Sequence, residues 1–272
     1  MKKTLLAVAL ASSLTSFGAV AADKAPEPDF SISGNFGFTS DYRFRGVSQT
    51  NKGPAAQGGF DLAHKSGFAA GVWASNVSEW TAPQGAGQEL DLYASYSKEV
   101  AGISLSFGGI GYFYPGAKDN GVTSGASATK NYWNTQEIFL GASYGPIAYK
   151  VSRTQSDYYF SLGKDGPGGV SGFTGTGTAK GTLYHDLSFA HSLSEKVSIK
   201  LHYGILDLKN STGGSIKDSL VGLSYDLGDG YSLGIAAVST SGLNAAAKGF
   251  FTDGTGRKLY TSGGYASITK TF

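Results

Sequence analysis

Four histidines, 20 carboxylates and no cysteine bound the chemistry open to this chain. His64, His185, His191 and His202 form no His-Glu-x-x-His or comparable metal-binding spacing. Without cysteine there is no disulfide, thiolate metal site or lipid-modified N-terminal cysteine. His185 and Ser188 stand three residues apart, on opposite faces of any strand that holds both, so one strand cannot join them as base and nucleophile. A lipid-cleaving site assembled from several strands is the enzyme alternative. The glycine-rich stretch from Gly163 to Gly177 lacks the strand-loop-helix setting of a phosphate loop. Asp119-Asn120 and Asp165-Gly166 could touch calcium, but such residues serve turns more often. No catalytic residue, metal site or cofactor is assigned.

Charges that share a direction say more. Arg43 and Arg45 lie two apart, as do Glu89 and Asp91, so on strands each pair projects to one face. Opposite charges facing one interior could flank water and select solutes, as charged rings do in channels. They could equally pair across that interior and close it.

The elements that must position these groups are strands. From Phe30 onward the dominant period is two: Phe30, Ile32, Phe36, Phe38, Tyr42 and Phe44 on one face, Ser31, Ser33, Asn35, Thr39, Asp41, Arg43 and Arg45 on the other. Some fifteen residues of alternation exceed the usual globular strand of about 5–6. Eleven further segments follow at 55–64, 68–76, 89–97, 103–114, 132–144, 147–155, 182–191, 197–207, 219–227, 231–239 and 259–272. Every second connection is short. The others, 46–54, 77–88, 115–131, 156–181, 208–218 and 240–258, are long and polar. That parity is the signature of an outer-membrane barrel, with tight periplasmic turns and long surface loops. A soluble sandwich has no reason to sort its loops so.

The ends and the composition agree. Lys2-Lys3, the apolar run from Leu5 to Ala11 and Ala19-Val20-Ala21 predict a cleavable secretory leader over 1–22, cut after Ala21 or Ala22, then a short segment 23–29 before the barrel over 30–272. Loss of the leader removes two of the 22 basic residues and leaves a formally neutral chain, which argues against a nucleic-acid partner. Glycine (41 residues), Tyr and Phe (16 each) with only 15% charged residues suit an all-β transmembrane barrel. Twelve antiparallel up-and-down strands are expected. Phe272 fits the terminal aromatic read by the barrel-assembly machinery, although Lys270 stands where an apolar residue is more usual.

Lipid-facing charge is costly, so the charged set is expected inside: Asp41, Arg43, Arg45, Asp61, Glu89, Asp91, Glu137, Asp186, Lys200 and His202. By the same logic Tyr42 and Phe44 are expected in an outer aromatic girdle, Phe30 in the periplasmic one, and His185 and His191 outward.

Ser40-Asp41-Tyr42-Arg43-Phe44-Arg45-Gly46-Val47-Ser48-Gln49-Thr50 resembles the N-terminal signature of the TorF porin family, also known as Gcw_chp, a conserved hypothetical proteobacterial family. Residues 67–77, Glu89 to Tyr93, Gly111 to Gly116 and the ending Ser267 to Phe272 resemble later blocks, so the likeness spans 30–272. It implies an outer-membrane location in a Gram-negative cell and a channel role, and no substrate. The expectation is a passive pore for small hydrophilic solutes or ions, partly gated by the longer loops. Alternatives are a closed or surface-binding barrel and, further off, a lipid-modifying enzyme. Twelve strands lie between barrels filled by side chains and wide channels, so geometry leaves the choice open.

Overall fold

The computed structural model describes residues 29–78, 86–117, 133–162, 177–211 and 214–272. The expected leader with Ala21 and Ala22 lies outside them, as do Asp119-Asn120 and Asp165-Gly166. Twelve antiparallel strands close into one barrel. The first half of the wall is β1 (Phe30–Thr39), β4 (Ala55–His64), β5 (Phe68–Asn76), β6 (Gln88–Val100), β7 (Ile103–Phe113) and β8 (Thr135–Tyr144). The second half is β9 (Ile147–Thr154), β10 (Leu183–Ser192), β11 (Val197–Asp207), β12 (Ile216–Gly228), β13 (Tyr231–Ser241) and β14 (Gly263–Thr271), which returns to β1. β2 (Arg43–Phe44) and β3 (Val47–Ser48) form a separate hairpin outside the wall sheet. A short helix, α1 (Ala245–Phe250), lies between β13 and β14; Asn244 caps it by accepting the Ala247 N–H.

Neighbouring strands in sequence are neighbours in space, and each pairs with the next in uninterrupted register but for a bulge at Asp226/Gly228 in β12. Tight turns gather at one end of the cylinder and long connections at the other, here the turn end and the loop end. Positive φ at Gly67, Gly102, Gly145 and Gly230 serves the tight turns.

The outer face inverts that of a soluble protein. Phe36, Phe38, Phe60, Leu62, Phe107, Leu140, Val221 and Ile235 all point away from the lumen and are exposed. So continuous an apolar surface is stable only against hydrocarbon. Phe30, Phe68, Tyr144, Tyr225 and Tyr231 ring the turn end, where amphipathic rings suit the headgroup region. Lys270 stays on this face because its ammonium lies 4.3 Å from the Tyr231 ring centroid and donates to the Asp229 carbonyl. It snorkels to the rim.

One expectation needs correcting. β1 does not run on to Arg45; it ends at Thr39, and beyond Ser40 the chain leaves the wall for the lumen. Tyr42 and Phe44 therefore belong to no outer girdle: they are 2% and 8% exposed, packed inside against Trp73 and Tyr112. The loop-end rim on the outside carries polar residues instead, among them Asn76, Gln88, Gln136, Arg153 and Lys217.

Placing a charge on the lipid face tests this orientation. Ile235→Lys, at a 60% exposed position midway along β13, should lower stability in bilayers by about 2–4 kcal/mol. Denaturant titration of vesicle-inserted protein measures it; an unchanged midpoint would mean that Ile235 does not face lipid.

Candidate lumenal site

The interior has two regimes. Along β6 the inward positions grade from buried Glu89 and Asp91 through half-buried Tyr93, Ser95 and Ser97 to exposed Glu99. β1 and β8 show the same gradient, Thr39 to Ser31 and Thr135 to Ser143. The turn-end half is thus open to water, and the loop-end half is filled.

The filling is organised by the β2–β3 hairpin. Its two-residue turn is Arg45-Gly46, with φ +46° and +82°. Positive φ at both turn residues is the type I′ geometry that matches strand twist. Glycine takes it freely; arginine is held there by what its side chain reaches. Arg45 crosses the lumen to β8, where Nη1 and Nη2 donate to the two Glu137 carboxylate oxygens at 2.9 and 2.7 Å. Nη1 also donates to Tyr159 Oη at 2.7 Å, and the guanidinium lies 4.1 Å from the Tyr184 ring centroid. Both ends of this buried pair have partners, which a buried ion pair requires.

The base of the hairpin is equally fixed. Asp41 accepts from Arg43 Nε at 2.7 Å and from Ser48 Oγ at 2.5 Å. Arg43 Nη1 donates to the Thr261 carbonyl at 2.7 Å, the Ser48 amide to the Leu259 carbonyl, and Thr240 Oγ1 to the Gly46 carbonyl. A Cβ on Gly46 would meet Thr240 Oγ1 at 2.4 Å and Asp218 Cβ at 2.7 Å, so side chains are excluded here by space as well as by φ.

The hairpin divides the outer lumen into two packed compartments. Tyr42, Phe44, Trp73, Ile110, Tyr112 and Tyr114 fill one. The other holds Val47, Tyr184, Leu206 and Ile216 with Leu243, Phe251 and Leu259 from the β13–β14 connection. Beside the hairpin, against β14, β1, β4 and β5, a cleft remains. Its cavity volume is about 40 Å³, and Asn35, Gln57, Trp73, Tyr265, Ser267 and Arg43 are among its lining residues.

The structure places the other expected site residues on the inner wall and joins some of them. Asp61 on β4 accepts from Tyr93 Oη on β6 at 2.6 Å, a bond that passes over Gly71 of β5; a Cβ there would lie 2.5 Å from the Tyr93 ring. On the opposite arc Tyr184 reaches over Gly204 to Asp218 in the same way. His202 bridges Asp218 (Nε2, 2.8 Å) and Asp186 (Nδ1, 3.2 Å), while Ser188 donates to Asp186 at 2.5 Å. Glu89 accepts from Tyr42 Oη at 3.3 Å and is 1% exposed; Asp91 beside it is 4% exposed. Glu89 Oε2 and Asp91 Oδ1 have no hydrogen-bond partner among the described residues. Lys200 joins no ion pair among them. Arg43 and Arg45 do not meet Glu89 or Asp91 in any ion pair; each has its own carboxylate. His185 is on the outer face, bonded to Tyr149 Oη at 2.7 Å, away from Ser188.

Sequence reasoning missed Tyr184, Asp218, Trp73, Tyr112 and Lys150 as interior residues. A signal for the aromatics existed: Trp73, Tyr112 and Tyr184 occupy inward positions near the loop ends of their strands, where a water-filled lumen would call for polar groups.

A closed twelve-stranded antiparallel barrel with apolar exterior and polar, partly plugged interior has the architecture of an outer-membrane barrel of porin type. Within that class the chain belongs to Gcw_chp, described as a bacterial protein family of unknown function, whose model matches residues 23–272. Among solved structures it is similar to a KdgM porin, with 9% identity over 88% of this chain and 99% of that one and a TM-score of 0.50. It is also similar to a KdgM porin in complex with disordered oligogalacturonate (9%, 89% and 98%, TM-score 0.48) and to a NanC porin (9%, 88% and 98%, TM-score 0.48). At such identity the likeness concerns the fold. No curated protein matches the chain.

Three substitutions probe the hairpin. Arg45→Ala leaves Glu137 buried without its cation and should cost about 3–5 kcal/mol; adding Glu137→Gln should recover part of that. Gly46→Ala should cost about 1–3 kcal/mol through its positive φ, with the clash added. Urea unfolding of the refolded barrel followed by tryptophan fluorescence reads all three. Wild-type stability of Arg45→Ala would mean the bridge to Glu137 is not formed.

Proposed function

We propose that this chain is a passive outer-membrane channel for small hydrophilic solutes or ions, constricted by the Arg45 hairpin. The observation that carries the reading is the polar cleft left beside the hairpin. There, among the described residues, the filled half of the lumen keeps open space against hydrophilic wall residues, Asn35, Gln57, Ser267 and Thr269. The open turn-end half then serves as a vestibule leading to it. This agrees with the porin role that the TorF resemblance implies. Under it the long connections lie at the cell surface, a cleaved leader directs export, and Phe272 addresses the barrel-assembly machinery. No enzymatic step or cofactor is assigned, and the barrel's standing partner is outer-membrane lipid.

The expected gating by the longer loops is revised in this reading. The constriction comes from the first connection, between β1 and β4, with Tyr159 and Phe251 packed behind it.

A second reading has its own support: the two apolar compartments fill the outer lumen as a protein core would, favouring a closed barrel that acts through its surface. Single-channel recording in planar bilayers separates the two. The channel reading expects small discrete steps from wild type, enlarged in Arg45→Ala and in Glu137→Gln, which free the hairpin tip. Fully inserted wild type and variants that all stay silent would establish the closed barrel.

A further inference from the structure

The interior charges are sorted by arc. Among the described wall residues, inward basic side chains occur only on β9 and β11: Lys150, Lys200 and His202. They face the carboxylates of the same arc. Lys150 is in direct register with Asp186, and His202 bridges Asp186 and Asp218. Neither lysine joins an ion pair among the described residues, so that arc keeps basic charge. The hairpin is compensated, since Arg43 is paired with Asp41 and Arg45 with Glu137.

The other arc, from β14 through β1, β4, β5 and β6 to β7, carries inward charge of one sign. Asp61, Glu89, Asp91 and Glu99 point in, and no lysine, arginine or histidine does. Glu89 and Asp91 are the extreme case. They are buried side by side in reach of one another, as carboxyls that share one proton and keep one charge are, and join no ion pair among the described residues. Around them stand electron-rich rings. Asp91 lies in register between Trp73 and Tyr112, and Tyr42 bonds Glu89. Such rings attract cations at their faces. The cleft beside the hairpin opens on this same arc, sharing Trp73 and Tyr42 with the carboxylate pair.

Low-dielectric walls focus the field of unpaired charge into the space they enclose. A solute passing beside the hairpin therefore travels along the acidic arc. We propose that the channel selects cations over anions, with Glu89 and Asp91 as the specificity-determining pair and Asp61 as a lesser contributor. This rests on the channel reading, and the test separates the two.

The reversal potential of the refolded full-length protein is measured in planar bilayers across a KCl gradient. Wild type should pass potassium several-fold more readily than chloride. Glu89→Gln with Asp91→Asn should bring the ratio close to one, and Lys150→Gln, which removes a cation from the opposite arc, should raise it. Should the double variant not fold, Asp61→Asn offers a milder change on the same arc, with a smaller fall expected. Currents without cation preference, or a preference unmoved by these substitutions, overturn the inference and leave the channel standing. A silent bilayer removes the channel reading and the inference with it.

Discussion

Backbone amides and carbonyls inside a bilayer have no water to bond, so a sheet that crosses one must close on itself. Here closure falls on the seam between the first and last strands. β1 pairs with β4 along ten residues, Phe30 to Thr39, but with β14 only from Asn35 to Thr39. The chain terminus extends that short seam. Phe272 exchanges backbone bonds with Gly34, at 2.8 and 3.0 Å, and its ring lies over the bare Gly34 backbone against Phe60. The last residue thus completes the ladder at the point where an edge would otherwise meet hydrocarbon.

The same seam launches the hairpin. Ser40 makes the final wall bonds of the first strand, its amide donating to Ala266 and its hydroxyl accepting from the Ala266 amide. Beyond it the chain turns inward, because Tyr42 and Phe44 find aromatic partners inside, Trp73, Tyr112 and Phe160. Across the lumen the tip is caught by Glu137. A buried guanidinium is tolerable only when its donors are satisfied, and three of Arg45's contacts supply carboxylate, phenol and ring face together. An unusual backbone conformation at Arg45 and a fully partnered side chain are two aspects of one constraint.

Alternation made the wall legible. The expected segments 55–64, 68–76 and 197–207 coincide with β4, β5 and β11, because a strand with lipid on one side and a polar lumen on the other must alternate. The hairpin escaped for the same reason. Asp41-Tyr42-Arg43-Phe44-Arg45 alternates as faithfully as a wall strand, and period alone cannot tell a strand between lipid and water from one between two interior compartments. What could have told them apart lies elsewhere in the chain: Trp73, Tyr112, Tyr184 and Leu206 at inward positions, and the Arg45-Gly46 turn. The charged residues were expected inside on the cost of placing them in lipid, but which carboxylate would meet which base depends on the hairpin's path, and no local pattern encodes that. Tyr184 over Gly204 and Tyr93 over Gly71 are likewise contacts of register, invisible until the strands are aligned.

A barrel wall asks little of sequence beyond a dyad pattern and turns of the right length, which is why 9% identity accompanies a shared fold over 88% of the chain. The individuality of such a protein is therefore not in its wall but in what fills it. In this chain the filler is the segment from Ser40 to Thr50, fixed at its base by Asp41 and at its tip by Arg45, with one arc of the lumen left carrying carboxylates that join no ion pair among the described residues. Each of these features constrains the others. A hairpin anchored by its own paired charges contributes no free cation to the acidic arc, and the packing that holds it upright confines open space to the side where that arc lies. Under the channel reading, constriction is then set by the eleven residues that give the sequence its most recognisable motif, and selectivity by the carboxylates of the arc they leave open.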